Sequence, residues 1–179
     1  METVVAVGIE KGSAAEAGRA LAARIAEQLG ARSPALVTLF ASLSQPLDEV
    51  MAAFRAALPP GGPAPVVLGA STAGEFTHEG DETGAVSAFA VSGDFRVFGG
   101  VGRPLAGSVE QAVTQALAGI PIEQEGYPHR TAILLIDGLA GAGEEATLIA
   151  AALLGPGVRL CGGCAADEWR LQKTFVQAD

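Results

Sequence analysis

The sequence predicts an α/β protein of two related halves, each βαβαββ in outline, with mixed, largely parallel sheets and a second half cut short. Three observations carry that prediction. Short apolar runs alternate with helical stripes, the pattern of strands and crossover helices. The order strand, helix, strand, helix, strand, loop occurs twice, a repetition best sought before anything else. Hydrophobic residues make up 49% and charged residues 17% of 179, which is enough apolar surface to bury and too little charge for a disordered chain.

The elements follow in order. Val4 to Ile9 is a nearly continuous apolar run, expected as a strand buried on both faces. Ser13 and Glu16 form a capping box, Ala17, Leu21, Ile25 and Leu29 recur every four residues, and Gly30 stops that helix. Ala35 to Phe40 is a strand, Leu47 to Leu58 a helix halted by Pro59 and Pro60, and Pro65 to Gly69 a third strand. Thr77 to Gly84 reads as a polar loop. Ala85 to Val91 and Phe95 to Gly102 read as a hairpin turning at Ser92-Gly93-Asp94. Ser108 and Gln111 suggest a second capping box before a helix buried through Ala112, Val113, Ala116 and Leu117. Thr131 to Ile136 is a strand, Gly143 to Leu154 a helix, Val158 to Leu160 a strand, and Lys173 to Val176 the start of one more.

Two pairs of segments align across the halves, placed at about 2–93 and 94–179. Leu36 to Phe40 corresponds to Ala132 to Ile136, and the loop Gly69-Ala-Ser-Thr-Ala-Gly-Glu-Phe76 to Gly162-Gly-Cys-Ala-Ala-Asp-Glu-Trp169. The first half continues through two further strands, whereas the second stops as its own begins, so the chain is expected to be truncated.

Composition removes several function classes. The net charge is −9 and the 11 basic residues are scattered, so no basic stripe is available to release counterions from nucleic acid. An anionic membrane surface would repel the chain as well. No signal peptide and no apolar run of about 20 residues is present. Two cysteines are too few for a secreted disulfide framework, so the cytoplasm is the expected compartment.

A site is expected beyond the carboxyl ends of the strands, where the loops after them shape a crevice. Small residues let backbone approach a ligand, and successive amides can hold an anion. Ser71, Thr72 and Cys164 would add side-chain contacts, Glu75, Asp167 and Glu168 would suit an ammonium group, and Ser42 and Asp137 stand in neighbouring loops. Together they suit a small zwitterion such as an amino acid. No catalytic residue and no metal ligand is assigned.

At these residues the chain resembles the N-terminal FIST domain, a sensory module of intracellular signal transduction. The resemblance rests on Val67-Leu-Gly-Ala-Ser-Thr-Ala-Gly-Glu-Phe76, Leu134-Leu-Ile-Asp-Gly-Leu139 and Leu160-Cys-Gly-Gly-Cys-Ala-Ala-Asp-Glu168. It implies a single sensory domain over 1–179 that takes a small ligand, without catalysis. It further implies a partner, either a C-terminal FIST domain or a signalling output domain. Some members bind haem and respond to nitric oxide, which would require an axial ligand such as His or Cys; His78 and His129 are the histidines available.

Other chemistries fit less well. Gly69-Ala-Ser-Thr-Ala73 is close to a nucleophile elbow with Ser71 as nucleophile, but that motif needs a helix directly after it and a late histidine. Cys161-Gly-Gly-Cys164 has redox spacing yet closes a strand rather than opening a helix, and zinc would need two further ligands. A scaffold module is the remaining alternative, since a truncated half leaves edges that invite a homodimer or a docked domain.

Overall fold

The computed structural model describes residues 2–78 and 80–178; Glu79, in the loop expected over 77–84, lies outside them. The chain runs β1 (Val4–Glu10), α1 (Ala14–Leu29), β2 (Leu36–Ser42), α2 (Leu47–Ala57), β3 (Val66–Thr72), β4 (Glu75–Thr77), β5 (Gly80–Glu82) and β6 (Val86–Ser92). It continues through α3 (Val109–Leu117), β7 (Arg130–Ile136), a 3-10 turn at Gly138–Ala140, α4 (Gly143–Leu154), β8 (Val158–Cys164) and β9 (Val176–Ala178).

Five strands form one sheet in the order β1-β6-β2-β3-β9. Only β2 and β3 run parallel there, joined through α2, and the other parallel pair is β7 with β8, joined through α4. The sheets are therefore mixed, with the parallel share confined to these two βαβ units. Helices α1 and α2 cover one face of the large sheet. Beneath them Ala6, Val37, Leu39, Ala41, Val67, Val86, Ala88 and Ala90 meet Leu21, Ile25, Met51 and Phe54. Gly18 lets the two helices close on each other, since a Cβ there would stand 2.6 Å from Val50 O. A second cluster joins Val109 and Val113 of α3, Ala146 and Ala150 of α4, and Ile136 of β7.

The capping box of α1 forms as expected: the Glu16 amide donates to Ser13 Oγ and the Ser13 amide to Glu16 Oε2. Five expectations need correction. β1 is buried on one face only, because both helices pack on the same side and leave Val5 55% exposed. The 77–84 region is no plain loop, since β4 and β5 pair there with Glu75 opposite Glu82. Phe95 to Gly102 is not a strand: both edges of β6 are already taken, by β1 and β2, so no ladder is left for it to join. It lies instead on α3, where a Cβ at Gly102 would stand 1.7 Å from Ala112 O. Ser108 makes no side-chain cap, its backbone being turned to φ −150°, ψ 51°. Finally, β8 runs on through Gly162 to Cys164, because Leu134, Leu135 and Ile136 offer it a continuous parallel partner.

Candidate functional site

The β2–β3 register sets Ser42 directly beside Thr72 at the carboxyl ends of the two strands. Each hydroxyl donates to a different glutamate: Ser42 to Glu168 and Thr72 to Glu75. Two carboxyl groups from distant parts of the chain are thus gathered at one corner of the sheet. Ser44 lies 3.1 Å from the Ser42 hydroxyl, and Arg170 Nη2 pairs with Glu168 Oε2 at 2.7 Å. Glu75 is only 2% exposed and its second oxygen accepts from the Ala85 amide at 3.2 Å. Burial pushes its carboxyl above the ordinary value against those two hydrogen bonds, and the charge of Glu168 adds to the rise.

Ser71 serves a different purpose. It is buried; its hydroxyl donates to Ala166 O at 2.8 Å and accepts from the Phe175 amide at 2.9 Å. A serine bonded to backbone on both sides, in a strand that continues into a hairpin, is no nucleophile elbow. Asp167 is likewise turned inward, accepting from the amides of Leu171, Gln172 and Lys173. These bonds, the one from Gln172 foremost, hold its carboxyl below the ordinary range. Asp137 accepts from the Leu139 amide at 2.9 Å and from the Thr174 hydroxyl.

The structure therefore brings Ser42, Thr72, Glu75 and Glu168 together, with Ser71, Asp137 and Asp167 anchoring the segment that delivers Glu168. Cys164 stands apart. It is exposed, with its sulfur beside Gly143 at the start of α4, and Cys161, also exposed, is three residues away on a strand whose faces alternate. Sequence reasoning passed over Ser44, Arg170 and Thr174. Ser44 and Arg170 sit two residues from Ser42 and Glu168, whereas nothing local marks Thr174.

Haem does not fit these residues. His78, His129, Cys161 and Cys164 are all exposed, whereas an axial ligand needs an apolar slot for the macrocycle beside it. Two surface concavities lie on the second half, one along α3 and one around Tyr127, and neither is lined by a histidine or by any residue of the corner. Among the described residues no three His, Cys, Asp or Glu side chains are grouped to hold a metal ion. Among them, too, no helix is long and apolar enough to cross a membrane.

Fold and site together define a mixed α/β domain that gathers acceptor groups at a sheet corner, with Ser71 committed to backbone. The family model of the FIST N domain matches residues 35–179, and the chain belongs to that family, whose members are sensory domains of signal transduction. No curated protein and no solved structure matches the chain.

Proposed function

We propose that this FIST domain senses a small ligand bearing an ammonium group, with an amino acid as the preferred class, at the corner formed by Ser42, Thr72, Glu75 and Glu168. The observation that carries the reading is the adjacent hydroxyl pair on β2 and β3, which sets two carboxyl groups side by side. The amides around them are already engaged: those of Ser71 and Ala166 in the backbone, those of Leu171, Gln172 and Lys173 on Asp167, and that of Ala85 on Glu75. What the corner has left to offer is mostly acceptor capacity, which suits a donor-rich cation. Arg170 supplies a guanidinium for the carboxylate of a zwitterion. Occupancy would be passed to a partner domain through the segment carrying Glu168.

Calorimetry with a panel of amino acids and the matching amines tests this. Binding is expected for ammonium-bearing compounds and should weaken about tenfold or more in Glu168→Gln, the loss of one charge-assisted hydrogen bond. No heat across the panel, or equal affinity in the variant, would sink the assignment.

A further inference from the structure

The segment between β8 and β9 is a strap tying the second parallel pair to the large sheet. Ala165 donates to Ile136 O at 2.7 Å and Ala166 to Ser71 O at 2.9 Å. Thr174 reaches Asp137, and Phe175 meets Ser71 through both its amide and its carbonyl. Between these anchors Glu168, Trp169 and Leu171 take φ of 55°, 64° and 52°. Left-handed backbone is uncommon for residues with a side chain, and three in four positions persist only where the surroundings impose them. The strained turn also turns apolar groups outward, with Trp169 87% and Leu171 74% exposed.

Asp167 holds the amides of Leu171, Gln172 and Lys173, and the Ser42–Glu168 bond ties the turn's own side chain to the sheet beside the buried Glu75 carboxyl. The charges facing Glu75 can be named element by element. Glu82 of β5 is its partner across the hairpin and is paired with Lys11. Glu10 of β1 is paired with Arg24. β2 and β6, which also pack on β4, carry no charged residue. Asp81 of β5 stands opposite Phe76, on the other face of the hairpin, and among the described residues Glu168 of the strap, with Arg170, completes the set. Of these carboxylates Glu168 alone sits on a strained segment, so it is the one able to move when a second charge appears.

We propose that the Glu75 carboxyl is a proton-operated latch on this strap. With its proton in place, Glu168 stays docked on Ser42 and the turn is closed. Ionisation sets two carboxylates side by side in a poorly hydrated corner, expels Glu168 and lets the left-handed turn relax. The purpose of the latch rests on the ligand reading above, because the turn carries Glu168 in and out of that corner; its operation needs no ligand.

The test uses the ligand-free chain between about pH 5 and 9, a span covering the upward side of the ordinary Glu range. Trp169 is the sole tryptophan, so its fluorescence anisotropy reports the strap directly. Hydrogen exchange of amides 166–175, normalised for intrinsic rates, gives a second reading. Anisotropy should fall and exchange should quicken several-fold as pH rises through one transition above the ordinary glutamate range. Both profiles should be flat in Glu75→Gln and, should that buried variant fold poorly, in the half-buried Glu168→Gln. A flat profile in the native chain, or the same transition in folded Glu75→Gln or Glu168→Gln, overturns the latch. Because no ligand is present, that failure is distinct from silence in the calorimetric panel.

Discussion

Ser71 shows how a conspicuous residue can be committed to the fold. Its hydroxyl satisfies Ala166 O and the Phe175 amide at once, so Ser71→Ala leaves a buried acceptor and a buried donor unpaired. Such a loss costs about 1–3 kcal/mol, which urea unfolding should register. A change below about 0.5 kcal/mol, the level of ordinary surface substitutions, would mean that water replaces the hydroxyl. The serine itself was legible in the Gly-Ala-Ser-Thr-Ala-Gly-Glu motif, but its role was not. Its partners are 95 and 104 positions away, and no local pattern encodes them. Glu75 and Glu168 stand out in the sequence as glutamates amid small residues, but only their partners Thr72 and Arg170 are local; Ser42, 126 positions from Glu168, is not. Cys164 was chosen for its matching position in the second loop, yet β8 extends through it and carries its side chain to the α4 side.

At the scale of elements, period and capping chemistry were enough wherever an element is stabilised by its own neighbours. The Ser13–Glu16 box and the four-residue spacing from Ala17 to Leu29 define α1, and its bounds are those observed. Elements whose existence depends on a partner strand were read less well. Phe95 to Gly102 has strand composition without a ladder, and β4 and β5 are three residues each, too short for alternation to show. The contact between α1 and α2 gives a direct test of packing against propensity. Alanine at Gly18 would gain about 1 kcal/mol of helix propensity, but its Cβ would meet backbone at Val50 O and Phe54 N. Because backbone cannot step aside as a flexible side chain can, Gly18→Ala should destabilise by about 1–3 kcal/mol in thermal or urea unfolding. A more stable variant would show that the helices can separate freely.

For the molecule as a whole, the mixed α/β class was legible, since helices alternating with apolar strands leave few other architectures. The strand order was not, because it depends on which edges are free once β6 has inserted between β1 and β2. The chain contains two parallel βαβ units, β2-α2-β3 and β7-α4-β8, whereas the strand expected over Phe95 to Gly102 is absent. Stability should depend on pH in two opposed ways. Glu75 binds its proton more tightly folded than unfolded, so the unfolded chain releases it first; stability falls as pH rises from the ordinary carboxylate range to the raised value. Asp167 is shifted the other way, so its contribution is present above the ordinary value and lost as pH falls through the lowered one. Unfolding free energies measured across pH should therefore peak between these ranges. Glu75→Gln should flatten the alkaline-side decline and Asp167→Asn the acid-side one; an unchanged slope in either variant would reject that assignment.

The pairing of β3 with β9 joins Leu68 to Ala178 and Ala70 to Val176. During synthesis the first four strands of the large sheet emerge long before the fifth, and such long-range pairing carries a heavy loop-closure penalty that slows folding. Until residues 166–178 emerge, the rim of β3 stands bare with the Ser71 amide and carbonyl open to water. A nascent chain is therefore most adhesive in the interval between the emergence of β6 and that of β9, when a chaperone shielding that rim would matter most.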